Sequence, residues 1–264
     1  MVYPFYISGR SVTLNFSDWL DAHAKQVDWP AVTDRWMIMM QQYNPVLDEQ
    51  IRTVIATLQQ ETSGPCRILD LGCGPGTLAR QILTADERFT VVNLDVNPFW
   101  LEVCKRNLAD FGKRAQLLAA SFRDADWPNQ VPGPFQAVVS LTTLHSLATE
   151  SYQALLNQIL HILEPGSLFL NADRLIVPKF EPEEPDPDTF TGDTWQGYYT
   201  WLKDTWELTD IFDAAQKQGD IFDGSPTGYD GDTNLHLLTE AGFINQNMYW
   251  YRDGRAVFGG KKPT

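Results

Sequence analysis

Apolar residues follow two different periodicities along the first two thirds of the chain. From Asp28 to Gln60 they recur at three- and four-residue steps, interrupted by Pro45, which predicts two helices. Beyond Gly64, short apolar runs typical of buried strands alternate with helical segments. Strands are predicted at 66–71, 90–94, 116–120, 136–141 and 167–171, and helices at 77–83, 98–108 and 152–163. This alternation favours an α/β fold in which helices cover both faces of a parallel sheet.

The regular pattern ends at Val177. Prolines and acidic residues crowd the segment 178–188, which therefore predicts an extended link rather than a helix or strand. An aromatic-rich helix is predicted from Trp195 to Gly219, either as a helix packed on the core or as a lid over a ligand. A helix at 234–241 and strands at 244–251 and 255–258 are expected to close the chain.

Charge and cysteine content narrow the functional classes. The chain has 34 acidic and 20 basic residues, a formal net charge of −14, which disfavours nucleic acid and anionic membranes as partners. Cys66, Cys73 and Cys104 show no paired spacing, so no disulfide scaffold and no metal site are predicted, and a cytoplasmic location is expected. No signal peptide and no membrane-spanning run are recognised.

A glycine-rich turn carries the strongest candidate chemistry. Gly72, Gly74 and Gly76 follow a predicted buried strand and precede a predicted helix, so a ligand can lie directly against exposed backbone N–H groups. Asp95 ends the next strand, 21 residues after Gly74, a spacing that suits a carboxylate binding ribose hydroxyls. A nucleoside-containing cofactor is therefore predicted.

Two residues distinguish between nucleoside cofactors. Thr77 stands where the dinucleotide fingerprint requires a third glycine. Asp70 precedes the turn, and its carboxylate would repel a pyrophosphate but attract an ammonium or sulfonium group. Both residues disfavour a dinucleotide and favour a cofactor with a positively charged tail.

These motifs resemble those of the class I S-adenosylmethionine-dependent methyltransferases. The segment from Leu69 to Gly76 is similar to the family's first motif, and Asp95 matches its ribose-binding acid. Residues 135–145 resemble its fourth-strand motif, and residues 163–167 resemble the turn before its fifth strand. The resemblance covers roughly 47–175 and the chain from 234 onward. It implies a doubly wound, mostly parallel, seven-stranded Rossmann-like sheet with an antiparallel final strand.

The resemblance also implies a cofactor, S-adenosylmethionine, and its product, S-adenosylhomocysteine. The cofactor-binding residues it implies are Asp70, Gly72, Cys73, Gly74, Asp95, Val96, Asn97, Ser121, Phe122 and Leu141. The family often has an aspartate at the adenine, where this chain has Ser121. The adenine contact is therefore open between Ser121 and the nearby Asp124.

His145 is the candidate catalytic residue. An imidazole past the fourth strand could take a proton from a substrate hydroxyl, or it could only shape the cofactor pocket. The family's N/D-P-P-Y/F motif for base amino groups is absent at 140–143, which disfavours that activity. The expected acceptor is a small, partly apolar or cationic molecule. A noncatalytic module that binds this cofactor and an NAD(P)-dependent oxidoreductase are the alternatives.

Four segments are predicted along the chain. Residues 1–64 are expected to form an N-terminal helical cap, and residues 65–177 the Rossmann-like core that binds the cofactor. Residues 178–232 combine the acidic proline-rich link with the aromatic lid insertion. Residues 233–264 are expected to complete the core sheet with a helix and two strands.

Overall fold

The computed structural model describes residues 5–7, 10–12, 20–21, 23–131, 133–176, 195–206 and 228–264. The predicted link at 178–188 and the second half of the predicted aromatic helix, 207–219, lie outside the described residues. In the described ranges, we find no helix with the length and apolarity that a membrane crossing requires.

Two helices precede the core, as the periodicity predicts. Helix α1 (Trp29–Tyr43) starts where the Asp28 carboxylate accepts a hydrogen bond of 3.1 Å from the backbone N–H of Ala31. Helix α2 (Leu47–Glu61) follows after Pro45. Ahead of both, strands β1 (Phe5–Ile7) and β2 (Arg10–Val12) pair antiparallel. The predicted N-terminal cap is therefore not wholly helical, because a short hairpin of three-residue strands has too little periodicity to be seen in the sequence.

The central sheet has seven strands in the order β5–β4–β3–β6–β7–β9–β8. Their bounds are β3 (Cys66–Leu71), β4 (Phe89–Asp95), β5 (Ala115–Ala119), β6 (Phe135–Leu141), β7 (Leu163–Arg174), β8 (Ile244–Arg252) and β9 (Arg255–Lys261). Strands β3 to β7 are parallel, whereas β9 is antiparallel to both of its neighbours. The predicted fold class is confirmed. The chain order reverses between β3 and β6, where open α/β sheets bind their ligands.

Helices cover both faces of this sheet. They are α3 (Thr77–Ala85), α4 (Pro98–Asn107), α5 (Trp127–Gln130), α6 (Thr149–Ile162), α7 (Trp195–Trp206) and α8 (Gly231–Ala241). Successive strand residues point to opposite faces, so Ile68 belongs to one buried cluster and Leu69 to the other. The first cluster includes residues of α1 to α4, and the second includes residues of α6 and α8.

Strand β7 is longer than the sequence predicts. It begins at Leu163, immediately after α6, rather than at Ser167. Leu163 pairs with Phe135, and the backbone N–H of Gly166 donates to the carbonyl of Lys262. The turn-like sequence around Pro165 is thus held in the sheet by partners that are distant along the chain.

Candidate active site

A cavity of about 680 Å³ opens at the carboxyl ends of β3, β4 and β6. This volume lies within the roughly 300–1,000 Å³ typical of small-ligand pockets. All the residues predicted to bind the cofactor line this cavity, and so does His145. The structure therefore brings every predicted site residue to one place, although their roles stay predictions.

The glycine turn forms one wall of the cavity. Gly72 has a φ of +70°, and a Cβ added to it would lie 2.4 Å from Cγ2 of Thr143. Gly74 has a φ of +50°, and a Cβ added there would meet no atom within 4 Å. Gly72 is thus required for close packing, whereas Gly74 presents bare backbone to open space. A ligand could lie against that backbone.

Asp95 is fixed in place by backbone donors. Its Oδ2 accepts a hydrogen bond of 2.9 Å from the N–H of Gly74, and its Oδ1 accepts one of 2.8 Å from the N–H of Asn97. Each carboxylate oxygen can accept more than one hydrogen bond, so the outer lone pairs can still receive ribose hydroxyls. Burial raises the pKa of Asp95, and the backbone hydrogen bonds partly offset this.

Asp70 is a buried carboxyl group of the site with an unsatisfied oxygen atom. Its side chain is in the cavity wall, the residue is only 1% exposed, and its Oδ2 has no hydrogen-bond partner among the described residues. Burial and the nearby Asp95 raise the pKa of Asp70 to about 8. A buried carboxylate without a partner is costly, so a cationic group in the cavity would be favoured. These residues fit the ammonium tail and sulfonium of the predicted cofactor.

The residues after β5 include both candidate adenine contacts. Ser121 and Phe122 line the cavity, whereas Asp124 is exposed and is not in its wall. Oγ of Ser121 accepts a hydrogen bond of 3.3 Å from the N–H of Arg123, which holds the hydroxyl near the cavity. The geometry favours Ser121 and Phe122 over Asp124.

His145 forms a close pair with Asp173, a residue that the sequence analysis missed. Nδ1 of His145 lies 2.7 Å from Oδ1 of Asp173, and the backbone N–H of His145 donates to Oδ2 at 3.0 Å. Burial alone would raise the pKa of Asp173. The charge of His145 and the hydrogen bonds from His145 and Arg174 outweigh that effect and lower it. An ionised carboxylate only accepts hydrogen bonds, so Nδ1 carries the proton and Nε2 is the basic nitrogen.

The aromatic helix lies beside the cavity. Tyr198 of α7 is buried; its ring stacks on that of Trp100, and its hydroxyl donates to the carbonyl of Val32 at 3.0 Å. One residue further, Tyr199 lines the cavity, as does Lys203 one turn later. The described part of α7 therefore packs on the core and also contributes to the cavity wall.

Three arginines line the cavity, Arg123, Arg174 and Arg255, and sequence reasoning placed none of them in the site. Arg174 ends β7 and Arg255 begins β9. The rule that ligand-binding residues follow the carboxyl ends of parallel strands could have found Asp173 and Arg174. Arg255 enters the site from an antiparallel strand, so that rule does not point to it.

The sequence comparisons point in the same direction as the geometry. Residues 68–166 match the family described as "Methyltransferase domain". A ribosomal RNA small subunit methyltransferase C from Shewanella sediminis is 24% identical over 145 residues, which is 55% of this chain and 40% of that protein. A carboxy-S-adenosyl-L-methionine synthase from Nautilia profundicola is 21% identical over 220 residues, 83% of this chain and 87% of that protein. The chain thus spans less than half the length of the ribosomal RNA methyltransferase.

Solved structures share the fold at low sequence identity. An O-methyltransferase family protein from Burkholderia thailandensis superposes with a TM-score of 0.57 at 16% identity, covering 94% of this chain and 63% of that chain. The human N-acetylserotonin methyltransferase in complex with S-adenosylmethionine gives a TM-score of 0.56 at 17% identity, covering 93% and 62%. At such identities the likeness establishes the common architecture.

Proposed function

The chain carries a class I S-adenosylmethionine-dependent methyltransferase domain, and we propose that the whole protein transfers the methyl group of that cofactor to a small-molecule acceptor. One observation supports this most strongly. Asp70 and Asp95 flank a glycine turn in the same cavity, and the buried Oδ2 of Asp70 has no hydrogen-bond partner among the described residues. A cationic amino-acid tail joined to a ribose satisfies both carboxylates.

We assign each part of the cofactor to a part of the cavity wall. Asp70 and the backbone of Gly72 and Gly74 would hold the methionine portion, and Asp95 would bind the ribose hydroxyls. Ser121 and Phe122 would contact the adenine, and the residues near Leu141 would form the floor. When bound, the sulfonium supplies an activated methyl group. The protein's own contribution is alignment and exclusion of water, which together can supply roughly 7–11 kcal/mol in favourable cases.

We further propose that His145 is a general base. Its Nε2 would take the proton of an acceptor hydroxyl, and Asp173 would orient the ring and stabilise the imidazolium. The short contact with a buried carboxylate favours this role over a purely structural one, because packing alone does not require an ionised partner. An acceptor with an acidic hydroxyl, and thus O-methylation, suits this arrangement best.

A small acceptor is preferred over nucleic acid. The cavity walls include the aromatic side chains of Trp36, Tyr43 and Trp100, and the chain has a net charge of −14. A polyanion would be repelled by that charge. The similarity to a ribosomal RNA methyltransferase covers 55% of this chain at 24% identity. It is therefore too low to indicate that this chain has the same acceptor.

Ligand-induced stabilisation tests the cofactor assignment. We expect S-adenosylhomocysteine to raise the melting temperature, since a ligand at about 100 times its Kd adds roughly 2.7 kcal/mol to the free energy of unfolding. NADH at the same concentration should have no effect. No shift with S-adenosylhomocysteine at millimolar concentration, or an equal shift with NADH, would contradict the proposal.

Label transfer tests the acceptor class. The protein is incubated with S-adenosylmethionine labelled in its methyl group, and a small-metabolite fraction and total RNA are assayed in parallel. We expect label in the small-molecule fraction alone. Label in RNA would overturn the choice of acceptor, whereas binding without transfer to either fraction would support a noncatalytic module.

A further inference from the structure

Arg174 and Arg255 are directly opposed on neighbouring strands. They are register partners in the antiparallel pair β7–β9, and both side chains line the cavity. Like charges at directly opposite positions destabilise a sheet. The nearby Asp173 carboxylate offsets part of this repulsion, because its charge raises the pKa of both arginines, and an anionic ligand would offset it further.

The two guanidinium groups are incompletely satisfied. Burial lowers the pKa of each, and the nearby Asp173 carboxylate raises both and so offsets part of that effect. The charge of Arg174 is a smaller cause that lowers the pKa of Arg255. Nε of Arg174 is buried and has no hydrogen-bond partner in the described part of the chain. The Asp173 carboxylate accepts hydrogen bonds from the ring and backbone of His145 and from the backbone N–H of Arg174, at 2.9 Å, rather than from either guanidinium group. No salt bridge to either guanidinium is found within the described ranges.

Arg255 is held in position at the cavity wall. Its Nη2 donates a hydrogen bond of 2.6 Å to the backbone carbonyl of Tyr43 at the end of α1. A neutral carbonyl orients the guanidinium without cancelling its charge. The remaining donors of the planar group are thus available to a ligand.

The charged residues that the core strands β3, β4, β7 and β9 contribute to the cavity wall form an acidic end and a basic end. Two further cations of the wall, Arg123 beside Phe122 and Lys203 of α7, lie on other elements. Asp70 belongs to the end of β3 and Asp95 ends β4, whereas Arg174 and Arg255 belong to β7 and β9, with β6 between the two pairs of strands. Neighbouring strands are spaced by about 4.8 Å, so β3 and β7 are separated by roughly 10 Å. His145 follows β6, between the two ends. The cofactor would occupy the acidic end, which leaves the basic end to the acceptor.

We propose that the acceptor carries a carboxylate, which Arg174 and Arg255 bind together while its hydroxyl faces His145. This proposal rests on the proposed function and deepens it. Paired guanidinium groups match the planar fork of a carboxylate. A dianionic phosphate is less suitable, because the buried Asp173 carboxylate adjoins Arg174. The aromatic walls suit an aryl or apolar body, so a hydroxylated aromatic acid is the class of acceptor expected.

The reaction balances with the groups named. The hydroxyl proton passes to Nε2 of His145 as the acceptor oxygen forms its bond to the methyl carbon. The sulfur–carbon bond breaks with its electron pair remaining on sulfur, which gives neutral S-adenosylhomocysteine. The products are a methyl ether that retains its carboxylate and a protonated His145, which returns its proton to water. The acceptor is thus recognised as an anion, not as the cation that the acidic composition suggested.

Calorimetry with small probes tests the carboxylate site. The full chain saturated with S-adenosylhomocysteine is titrated with benzoate and 4-hydroxybenzoate, and with the neutral benzamide and 4-hydroxybenzamide. We expect each acid to bind at least about tenfold more tightly than its amide, because hydrogen bonds between ionised groups are stronger than those to a neutral acceptor. Phenyl phosphate is titrated as a third kind of probe, and we expect it to bind more weakly than benzoate.

Arginine variants test which side chains are responsible for the preference for the acid over the amide. Arg174→Gln and Arg255→Gln should each remove most of the preference for the acid over the amide. Arg252→Gln should retain it, because Arg252 pairs with Glu49 and Asp253 outside the cavity. Failure of both acids to bind saturably, equal binding of acid and amide, or an unchanged preference in both variants would overturn the proposal. Tighter binding of phenyl phosphate would overturn the choice of a carboxylate.

The same preparations separate this inference from the proposed function. Stabilisation by S-adenosylhomocysteine is measured on the wild type and on Arg174→Gln and Arg255→Gln, and we expect it to be the same in all three. If S-adenosylhomocysteine fails to bind while the acids bind in the wild type alone, the cofactor assignment falls and the anion site stands. If S-adenosylhomocysteine binds and the acids do not, the cofactor assignment stands and the proposed carboxylate site is wrong.

Discussion

The backbone N–H of Gly74 donates a hydrogen bond of 2.9 Å to Oδ2 of Asp95, which ties the glycine turn to the end of the next strand. The two motifs on which a nucleoside site depends are therefore one structural unit, joined across 21 residues of sequence. The groups proposed to bind the ribose and the amino-acid tail are thus fixed in position in the free protein. Such preorganisation lowers the cost of ordering the site on binding.

Gly74→Ala is expected to reduce affinity more than stability. A Cβ at Gly74 meets no protein atom, but it would occupy space beside the cavity. Gly64→Ala is the matched control, because Gly64 also has a positive φ and open space around it yet lies outside the cavity. In both variants the free energy of unfolding should fall by about 1–2 kcal/mol, because a Cβ is unfavourable in the left-handed backbone conformation. Urea denaturation measures this fall. Only Gly74→Ala should weaken S-adenosylhomocysteine binding at least about tenfold, equivalent to 1.4 kcal/mol.

Cofactor binding is expected to depend on pH through Asp70. Its pKa of about 8 means that the free protein holds this carboxyl mostly protonated at pH 6, whereas a cationic ligand favours the ionised form. Affinity for S-adenosylhomocysteine should therefore rise from pH 6 to pH 8. Of the titratable neighbours, Asp95 also has a raised pKa, and burial holds the Cys73 thiol protonated. Calorimetry across this range measures the slope.

Asp70→Asn provides the comparison. It should weaken binding by about 10- to 100-fold at pH 8, because a hydrogen bond to a charged group is lost, and it should flatten the pH dependence. Asp124→Asn changes an exposed carboxylate outside the cavity and should leave both unchanged. An equal slope in the Asp70 variant and the wild type would assign the titration to another group.

The raised pKa of Asp70 also predicts a change in stability with pH. The folded chain binds a proton at Asp70 that the unfolded chain releases above its ordinary pKa of 3.8. The contribution of Asp70 to the free energy of unfolding should therefore fall as the pH rises from about 4 to 8. Urea denaturation of the free protein across this range should show that fall in the wild type and not in Asp70→Asn. A wild-type stability curve parallel to that of the variant would contradict it.

His145→Gln is expected to remove catalysis and spare binding. General-base catalysis typically contributes about 10²–10⁴-fold, so turnover of any acceptor that the wild type methylates should fall within that range. The affinity of the variant for S-adenosylhomocysteine should stay within about twofold of the wild-type value. The corresponding change in binding free energy is well below the 1.4 kcal/mol of a tenfold change. His161→Gln, at an exposed position of α6, is the control. A loss of turnover that disappears at high pH would support proton transfer, whereas a parallel loss in both variants would not.

Gln50→Leu is expected to loosen the attachment of the N-terminal helices to the sheet. The buried Gln50 amide donates to the carbonyls of Asp173 and Ala256, at 3.1 and 2.9 Å, and accepts from Nδ2 of Asn44. Losing these partners in the interior should cost about 1–3 kcal/mol. The control, Gln59→Leu, changes an exposed residue of the same helix. Urea denaturation compares the two, and equal stabilities would show that the buried network contributes nothing.

The aromatic helix is expected to become more protected when ligand binds. Tyr199 and Lys203 line the cavity, so a bound ligand adds contacts to α7. Hydrogen exchange of 195–206 should slow with S-adenosylhomocysteine and slow further with an acceptor. Unchanged exchange would contradict the prediction that this segment acts as a lid.

The features that the sequence predicted are those with local signals. Periodicity indicated α1, α2 and the alternating strands and helices, because burial imposes a period of 3.6 or 2 on each element separately. The glycine turn and the spacing from Gly74 to Asp95 were visible because strand, turn and helix are contiguous there. The family resemblance then supplied the sheet and its antiparallel final strand.

Features set by pairing between distant segments were not visible. Asp173 is identified as a site residue only by its 2.7 Å contact with His145, which lies 28 residues earlier along the chain. Arg174 and Arg255 are neighbours because of the register of β7 against β9. By itself, then, the sequence determined the elements and the acidic end of the cavity, where we propose that the cofactor binds and whose residues lie close to one another along the chain. Only the tertiary structure decided the basic end, because strand register depends on packing across the whole sheet and no local pattern encodes it.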